Sequence, residues 1–219
     1  MRLRKLLVAN RGEIAVRIFR TCRRLGIATV AVTAPDDAGA LHARRADEAQ
    51  LVGSYLLAED VVHAAEASGA DAVHPGYGFL AEDARFAEAV LAAGLLWVGP
   101  PPGALRAAAD KLEAKRLARA ASVPTLDSGA AEEVGFPLLV KAAAGGGGRG
   151  MRLVHGPQEL PAALEAAGRE ARAAFGDGRV FLERRLERPR HVEIQILADS
   201  HGNAVSLGER ECSIQRRHQ

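Results

Sequence analysis

The stretch PLLVKAAAGGGGRGM, residues 137–151, joins an apolar segment that ends at Lys141 to a run of glycines that Arg149 interrupts. Glycine loses more backbone entropy on folding than any other residue, so consecutive glycines indicate backbone that lies close to a partner or has to move. A lysine at a strand end, beside backbone N–H groups, is typical of an anion site. The stretch therefore predicts a loop that handles phosphate groups.

A flexible linker, a dinucleotide fingerprint, a Walker loop and a kinase glycine loop are the alternatives for this run. It lacks serine and lies between strand-like segments at 137–141 and 151–154, which favours a β-hairpin lid over a linker. Its glycines fit G-x-G-x-x-G, but a strand follows where a dinucleotide site needs a helix. Met151 and Arg152 replace the lysine and hydroxyl residue that a Walker loop requires, and no H-R-D or D-F-G string follows.

Composition restricts the partner and the compartment. The 219 residues carry 29 basic and 27 acidic side chains, a balance that does not indicate nucleic acid or an anionic membrane as the main partner. No apolar stretch approaches the roughly 20 residues of a membrane span, and the N-terminus does not resemble a signal peptide. We expect a cytoplasmic protein in which Cys22 and Cys212, which lack metal-site spacing, stay reduced.

The first hundred residues alternate short apolar runs with amphipathic helical patterns, which is typical of a parallel α/β sheet. The predicted strands are 5–9, 27–32, 49–52, 72–74 and 95–98, and the predicted helices are 13–25, 60–68 and 83–93. A proline cluster at 100–102 cannot continue either kind of element and marks a boundary.

The second half has a different, α+β pattern. Its predicted helices are 104–121 and 158–175, and its predicted strands are 137–141, 151–154, 179–183, 191–197 and 203–209. Asp110 is a candidate cap for the helical turn that begins at Lys111. We therefore predict two domains that are joined by a helical region.

Three further clusters leave structural and functional interpretations open. HPGYGF, residues 74–79, and NRGE, residues 10–13, each follow a strand, where ligands bind in open α/β sheets and where ordinary turns also occur. The charged residues around Pro189 could form weak surface ion pairs or a site. The basic stretch at 215–218 could reach an anion.

Six strings occur in order, VANRGEIAVRI, HPGYGFLAE, GP followed by ADK, VKAAAGGGGRGM, ERPRHVEIQ and ECSIQRRHQ. Together they closely resemble biotin carboxylase, the ATP-grasp component of biotin-dependent acyl-CoA carboxylases, over essentially the whole chain. The resemblance implies an α/β fold with a Rossmann-like pre-ATP-grasp domain at 1–100, a helical joint at 101–124, an ATP-grasp lid subdomain at 125–185 and the start of the ATP-grasp body at 186–219.

The resemblance also implies an activity, which is the ATP-dependent carboxylation of carrier-bound biotin with bicarbonate, through carboxyphosphate. Such a ligase uses ATP and Mg2+ or Mn2+, takes biotin on a carrier domain as substrate, works with a carboxyltransferase subunit and is commonly a homodimer. Residue by residue, the chain matches the ATP-contacting lysines at Lys111 and Lys141, the mobile hairpin at Gly147 and Gly148, the adenine segment at Glu183 and Leu186, and nucleotide contacts at His191, Gln215 and His218.

The chain also departs from the family pattern. In the family the acidic metal ligands, the bicarbonate and biotin arginines and the general base lie beyond QRRHQ, a lysine follows that motif, and the segment at 124–136 is longer. The resemblance therefore implies a truncated chain with no catalytic or metal-binding residues of its own, inactive by itself. A carbamoyl-phosphate synthase half and a non-catalytic nucleotide-binding or subunit-interaction module are the alternatives, and HPGYGFLAE together with QRRHQ favours biotin carboxylase over the former.

Overall fold

A computed structural model describes residues 2–145 and 150–214. The chain divides into two compact units, Met1–Arg106 and Ala107–Gln219. Among the described residues, no helix has the length and apolar character needed to cross a membrane. Cys22 and Cys212 are both free thiols, as expected.

The first unit is built on one parallel sheet. Its elements are β1 Lys5–Val8, α1 Gly12–Leu25, β2 Ala28–Thr33, α2 Leu41–Arg45, β3 Glu48–Leu51, α3 Ala58–Ala67, β4 Ala72–His74, α4 Ala84–Ala92 and β5 Leu96–Trp97. The strands pair in the order β3-β2-β1-β4-β5, all parallel. The predicted strand and helix alternation is confirmed. The helix α2 was not predicted, because five residues are too few to show a helical period.

Two apolar layers enclose this sheet, as expected for parallel strands that are covered on both faces. Leu7 and Val30 belong to a cluster that includes Val61 and Phe86, from the helices on one side. Phe19 of α1 packs with the residues that point to the other side. Full burial of a side chain such as Phe19, which is 1% exposed, contributes about 1.5–3 kcal/mol.

The HPGYGF turn is held by a buried amide. Asn10 is fully buried, and its Nδ2 donates to the carbonyls of Pro75 at 2.8 Å and Tyr77 at 2.9 Å. A Cβ on Gly76 would lie 2.6 Å from the Asn10 Nδ2 and 2.8 Å from Cγ2 of Ile14, and Gly76 has φ +67°. These contacts support the structural interpretation of this turn, since its backbone is fixed from beneath.

The second unit contains a three-stranded antiparallel sheet and a separate hairpin. Pro102–Ala109 forms α5, which spans the boundary between the units, and then come α6 Lys111–Ala120, α7 Ala131–Val134, β6 Leu138–Ala142, β7 Arg152–Val154, α8 Leu160–Phe175, β8 Val180–Arg184, β9 Val192–Ala198 and β10 Ala204–Glu211. The sheet order is β7-β6-β8, and β9 pairs with β10. The predicted β-hairpin of 137–141 and 151–154 is confirmed in the β6 and β7 pairing.

The helical region predicted over 104–121 is two helices. Asp110 separates them, because its Oδ1 accepts hydrogen bonds from the backbone N–H groups of Leu112 at 2.9 Å and Glu113 at 3.2 Å. The Asp110 backbone is extended, with φ −97° and ψ 109°, which ends the first helix. The predicted cap is therefore confirmed.

Strand alternation decides which side chains of the second unit face its core. Leu138 and Val140 are fully buried in a cluster with Ala167 of α8. Because successive side chains of a strand point to opposite faces, Lys141 emerges on the face away from this core. The sheet therefore presents its lysine opposite α8.

The β9 and β10 hairpin carries apolar side chains that are exposed in the described part of the chain. They are Val192, Ile194, Ile196, Leu197, Val205 and Leu207. The pairing register shifts between Ser206 and Glu209, which marks a bulge in β10.

Candidate functional site

Three lysines surround one buried carboxylate on the open face of the β6 and β8 sheet. Glu183 is 6% exposed, and its Oε1 accepts a hydrogen bond from the Lys115 Nζ at 2.5 Å. Its Oε2 accepts a hydrogen bond from the Lys141 Nζ. Lys111 completes the group from the first turn of α6. The site thus holds two cations paired with one carboxylate, with a third cation, Lys111, and the Asp110 carboxylate close by.

The antiparallel register places Lys141 next to Glu183. Lys141 lies opposite Phe181 and Leu139 lies opposite Glu183, so Lys141 and Glu183 are diagonal neighbours on the same face. Such diagonal pairs lie within reach of long side chains. The ion pair therefore follows from the strand pairing itself.

Helix α6 supplies the other two lysines. The backbone N–H of Lys111 donates to the Ala143 carbonyl at 2.9 Å, and Asp110 forms an isolated β-bridge with Ala144. These contacts fix the start of the helix against the strand that precedes the glycine run. Lys111 and Lys115 are four residues apart and therefore share one face of α6.

Lys111 also holds the backbone where the glycine run begins. Its Nζ donates to the carbonyls of Ala142 at 3.1 Å and Gly145 at 2.5 Å. Gly145 has φ +79°, and a Cβ there would lie 2.2 Å from the ring of Phe175. A glycine is required at 145 both by its backbone conformation and by this close ring.

The charges change the protonation behaviour of the group. Burial opposes ionisation of Glu183, but the hydrogen bonds from Lys115 and Lys141 outweigh it, so the pKa of this carboxyl lies below its ordinary value. Burial and repulsion from Lys141 lower the pKa of Lys111. The Asp110 and Glu183 carboxylates oppose this shift without cancelling it.

The structure brings together three of the residues that the sequence predicted, namely Lys111, Lys141 and Glu183. Leu186 follows β8 and is half exposed. His191 lies at the base of the β9 and β10 hairpin, where its backbone N–H donates to the Ser213 Oγ at 2.8 Å. Four further predicted residues lie outside the described residues: Gly147, Gly148, Gln215 and His218.

Lys115 is the member of the site that the sequence analysis missed. Its spacing of four residues from Lys111 was the available sign, because it places both ammonium groups on one helix face. That sign was weak, since a second lysine on a helix is usually a solvated residue. The bond to Glu183, which only the structure shows, distinguishes Lys115 from a solvated lysine.

Side chains that could bind a metal ion are scattered in the described part of the chain. Within residues 2–145 and 150–214, no three His, Cys, Asp or Glu side chains are grouped so that they could hold an ion. The one buried carboxylate of the site is already paired with two lysines. Glu183 is therefore not available as a metal ligand while both lysines are paired with it.

Two family models for parts of ATP-dependent enzymes match this chain. Residues 2–105 match the family model for the biotin carboxylase N-terminal domain. Residues 105–219 match the model for the carbamoyl-phosphate synthase L chain, ATP binding domain.

Individual relatives identify the family. The biotin carboxylase of Nostoc sp. is 48% identical over 237 residues, a match that covers 100% of this chain and 53% of the relative. A crystal structure of Campylobacter jejuni biotin carboxylase in a β-γ-ATP complex matches with TM-score 0.95 and 39% identity, over 100% of this chain and 53% of the other. The dimeric biotin carboxylase domain of Hydrogenobacter thermophilus 2-oxoglutarate carboxylase, solved with MgADP, ADP and bicarbonate, matches with TM-score 0.94 and 44% identity, over 100% and 52%.

The chain belongs to the biotin carboxylase family. The predicted fold class is confirmed by these structures. The chain spans about half the length of the biotin carboxylases that it matches.

Proposed function

We propose that this chain supplies the N-terminal domain and a nucleotide site of a biotin carboxylase, which carboxylates carrier-bound biotin with bicarbonate at the expense of ATP. The observation that carries the proposal is the group of Lys111, Lys115 and Lys141 around the Glu183 carboxylate, beside the glycine run. Three cations around one carboxylate leave an excess of positive charge for a phosphate chain. The family membership supplies the reaction.

Each site residue has a proposed role. Lys111 and Lys141 bind the phosphates of ATP, and Glu183 with Leu186 forms the segment that meets adenine. The remaining roles follow the family pattern: Gly147 and Gly148 form the hairpin over the phosphates, and His191, Gln215 and His218 contact the nucleotide. Support for the first set comes from the convergence of Lys111 and Lys141 near the glycine run.

The chemistry of the reaction explains why these residue types suit it. Lysine ammonium groups offset the charge that accumulates on phosphoryl oxygens as ATP phosphorylates bicarbonate. The carboxyphosphate that results is destroyed by water, so a hairpin that closes over the site protects it. Glycines supply the backbone freedom that such a closure needs.

The partners are proposed on the same basis. ATP with a divalent cation, bicarbonate, a biotin carrier domain and a carboxyltransferase subunit are the expected partners, and the complete enzyme is expected to dimerise. The relatives support part of this list, since the Hydrogenobacter thermophilus domain is a dimer solved with MgADP and bicarbonate. We further propose domain limits at 100, 124 and 185, and a cytoplasmic location.

Isothermal titration of the 219-residue chain with ATP tests the nucleotide site. We expect wild-type protein to bind ATP and Lys141→Ala to bind it about tenfold to a hundredfold more weakly, because a charge-assisted hydrogen bond is lost. Arg169→Ala is the matched control, since it removes a positive charge from an exposed position of α8. Equal affinities for wild-type and Lys141→Ala protein, or no binding by wild type, would contradict the proposal.

A further inference from the structure

Lys115 occupies a different position in the site from the other two lysines. Its side chain is 14% exposed, against 26% for Lys141, although both donate to Glu183. Its Nζ also lies 5.6 Å from the centre of the Phe181 ring, within range of a cation–π interaction. Lys115 is thus enclosed by Glu183 and Phe181.

The composition of the chain makes the choice of lysine here informative. The sequence holds only four lysines against 25 arginines, and three of the four are Lys111, Lys115 and Lys141. A lysine ammonium is a compact charge on a flexible stem, whereas a guanidinium is a rigid fork. A site that shares one carboxylate between two cations, one of which has to move, suits lysine.

We propose that Lys115 is a positioning residue, which holds the Glu183 carboxylate so that the Lys141 ammonium can turn to the phosphates of a bound nucleotide. Glu183 is nearly buried, and a buried carboxylate without a cation is strongly destabilising. With Lys141 as its single partner, movement of Lys141 would leave the carboxylate unpaired. Lys115 removes that cost, because it remains on Oε1 when Lys141 leaves Oε2.

The inference rests on the proposed nucleotide site and deepens it. Lys115 acts on the nucleotide through Glu183 and Lys141 and not by direct contact. Its effect should fall on phosphate binding, because the ammonium that it frees from Glu183 is that of Lys141. The backbone of the adenine segment at Glu183 stays paired with β6 in either case. A residue with a merely structural role would weaken the binding of ATP and of adenosine by the same factor.

A comparison of ATP with adenosine separates these cases. For Lys115→Met we expect the dissociation constant for ATP to rise about tenfold and that for adenosine to change less than about twofold, because the phosphate contacts alone are weakened. Lys115→Arg restores a cation and should stay within about threefold of wild type for ATP. Equal weakening of both ligands, or of neither, would overturn the inference.

A second measurement works without nucleotide. Acetylation by an N-hydroxysuccinimide ester, followed by mass spectrometry, gives a rate for each of the four lysines. In Lys115→Met we expect acetylation of Lys141 to slow by about threefold, because Glu183 then pairs with Lys141 alone and keeps its ammonium from the reagent. Lys5 is the internal control, and Lys115→Arg should keep the wild-type rate at Lys141.

The two measurements separate failure of the inference from failure of the proposed function. Absence of ATP binding by wild-type protein would refute the nucleotide site, and the acetylation rates would still decide whether Lys115 shares Glu183 with Lys141. An unchanged Lys141 rate in Lys115→Met overturns the inference whatever the nucleotide result. Lys115→Gln, which is expected to behave like Lys115→Met, replaces it if circular dichroism shows that the methionine variant does not fold.

Discussion

Two polar clusters, one in each unit, follow strand ends but balance their charges differently. In the first unit the Arg11 Nε pairs with the Asp37 Oδ2 at 2.7 Å, and the Tyr55 hydroxyl donates to the same carboxylate at 2.7 Å. In the second unit Lys115 and Lys141 share the single carboxylate of Glu183. The first cluster has one cation for its carboxylate, and the second has an excess of cations once Lys111 is included.

The two clusters differ in whether their charges are balanced within the protein. Asp37 accepts from both neighbours, and burial together with the bond to Asp37 raises the pKa of Tyr55 to about 12, so this cluster is satisfied as it stands. In the lysine cluster the pKa of Lys111 is lowered by burial and by Lys141. We therefore expect the first cluster to stabilise the fold and the second to bind an anion.

Among these substitutions, we expect the largest effect on stability from Asn10→Ala, in the first unit. Asn10→Ala should lower the free energy of unfolding by about 3 kcal/mol, because two buried carbonyls lose their shared donor. ATP affinity should stay unchanged. Urea denaturation and titration of the same preparation measure the two quantities.

Asn203 provides the control for that substitution, since it is the other asparagine of the chain and is exposed. Asn203→Ala should change the free energy of unfolding by no more than about 0.5 kcal/mol. If Asn10→Ala lost ATP affinity but kept its stability, the first unit would contribute to ATP binding. That result would contradict a purely structural role for this turn.

A smaller effect concerns acid and the second unit. The pKa of Glu183 is lower in the folded protein than its ordinary value of 4.5, so its ion pairs stabilise the fold above that value and are lost as pH falls through the folded pKa. Glu183→Gln should therefore flatten the dependence of stability on pH below about 4.5, by roughly 1–2 kcal/mol. Urea unfolding between pH 3 and pH 7 tests this. Parallel curves for Glu183→Gln and wild type would show that the carboxylate contributes no pH-dependent stability.

Much of the fold follows from local sequence patterns. Most strands and helices of the first unit were predicted, because their apolar residues recur at the period of a strand or a helix and glycines often follow the helices. The helix α1 is an example, since Gly26 ends it. The helices α2 and α7 were missed, since five and four residues show no period. The break at Asp110 was predicted as a cap but not as the end of a preceding helix, because alanine-rich sequence on both sides hides it.

The site was predictable where a motif carried it and not where distant strands create it. Lys111 and Lys141 lie in strings that resemble the family, so they were found from sequence. Lys115 of α6 contacts Glu183, which lies 68 residues away, and the register of β6 and β8 sets Glu183 beside Lys141. No local pattern contains that register, and the structure is needed to show it.

The most direct test of the lysine cluster compares the affinities of ATP and adenosine for the wild-type chain at two salt concentrations. If the excess of positive charge binds phosphates, ATP should bind at least about tenfold more tightly than adenosine at low salt, and this advantage should shrink as salt screens the charges. The advantage should also disappear in the Lys111→Met, Lys141→Met double variant. Equal affinities of wild type for ATP and adenosine at low salt, or an advantage of ATP that does not change with salt, would contradict phosphate binding by the lysines.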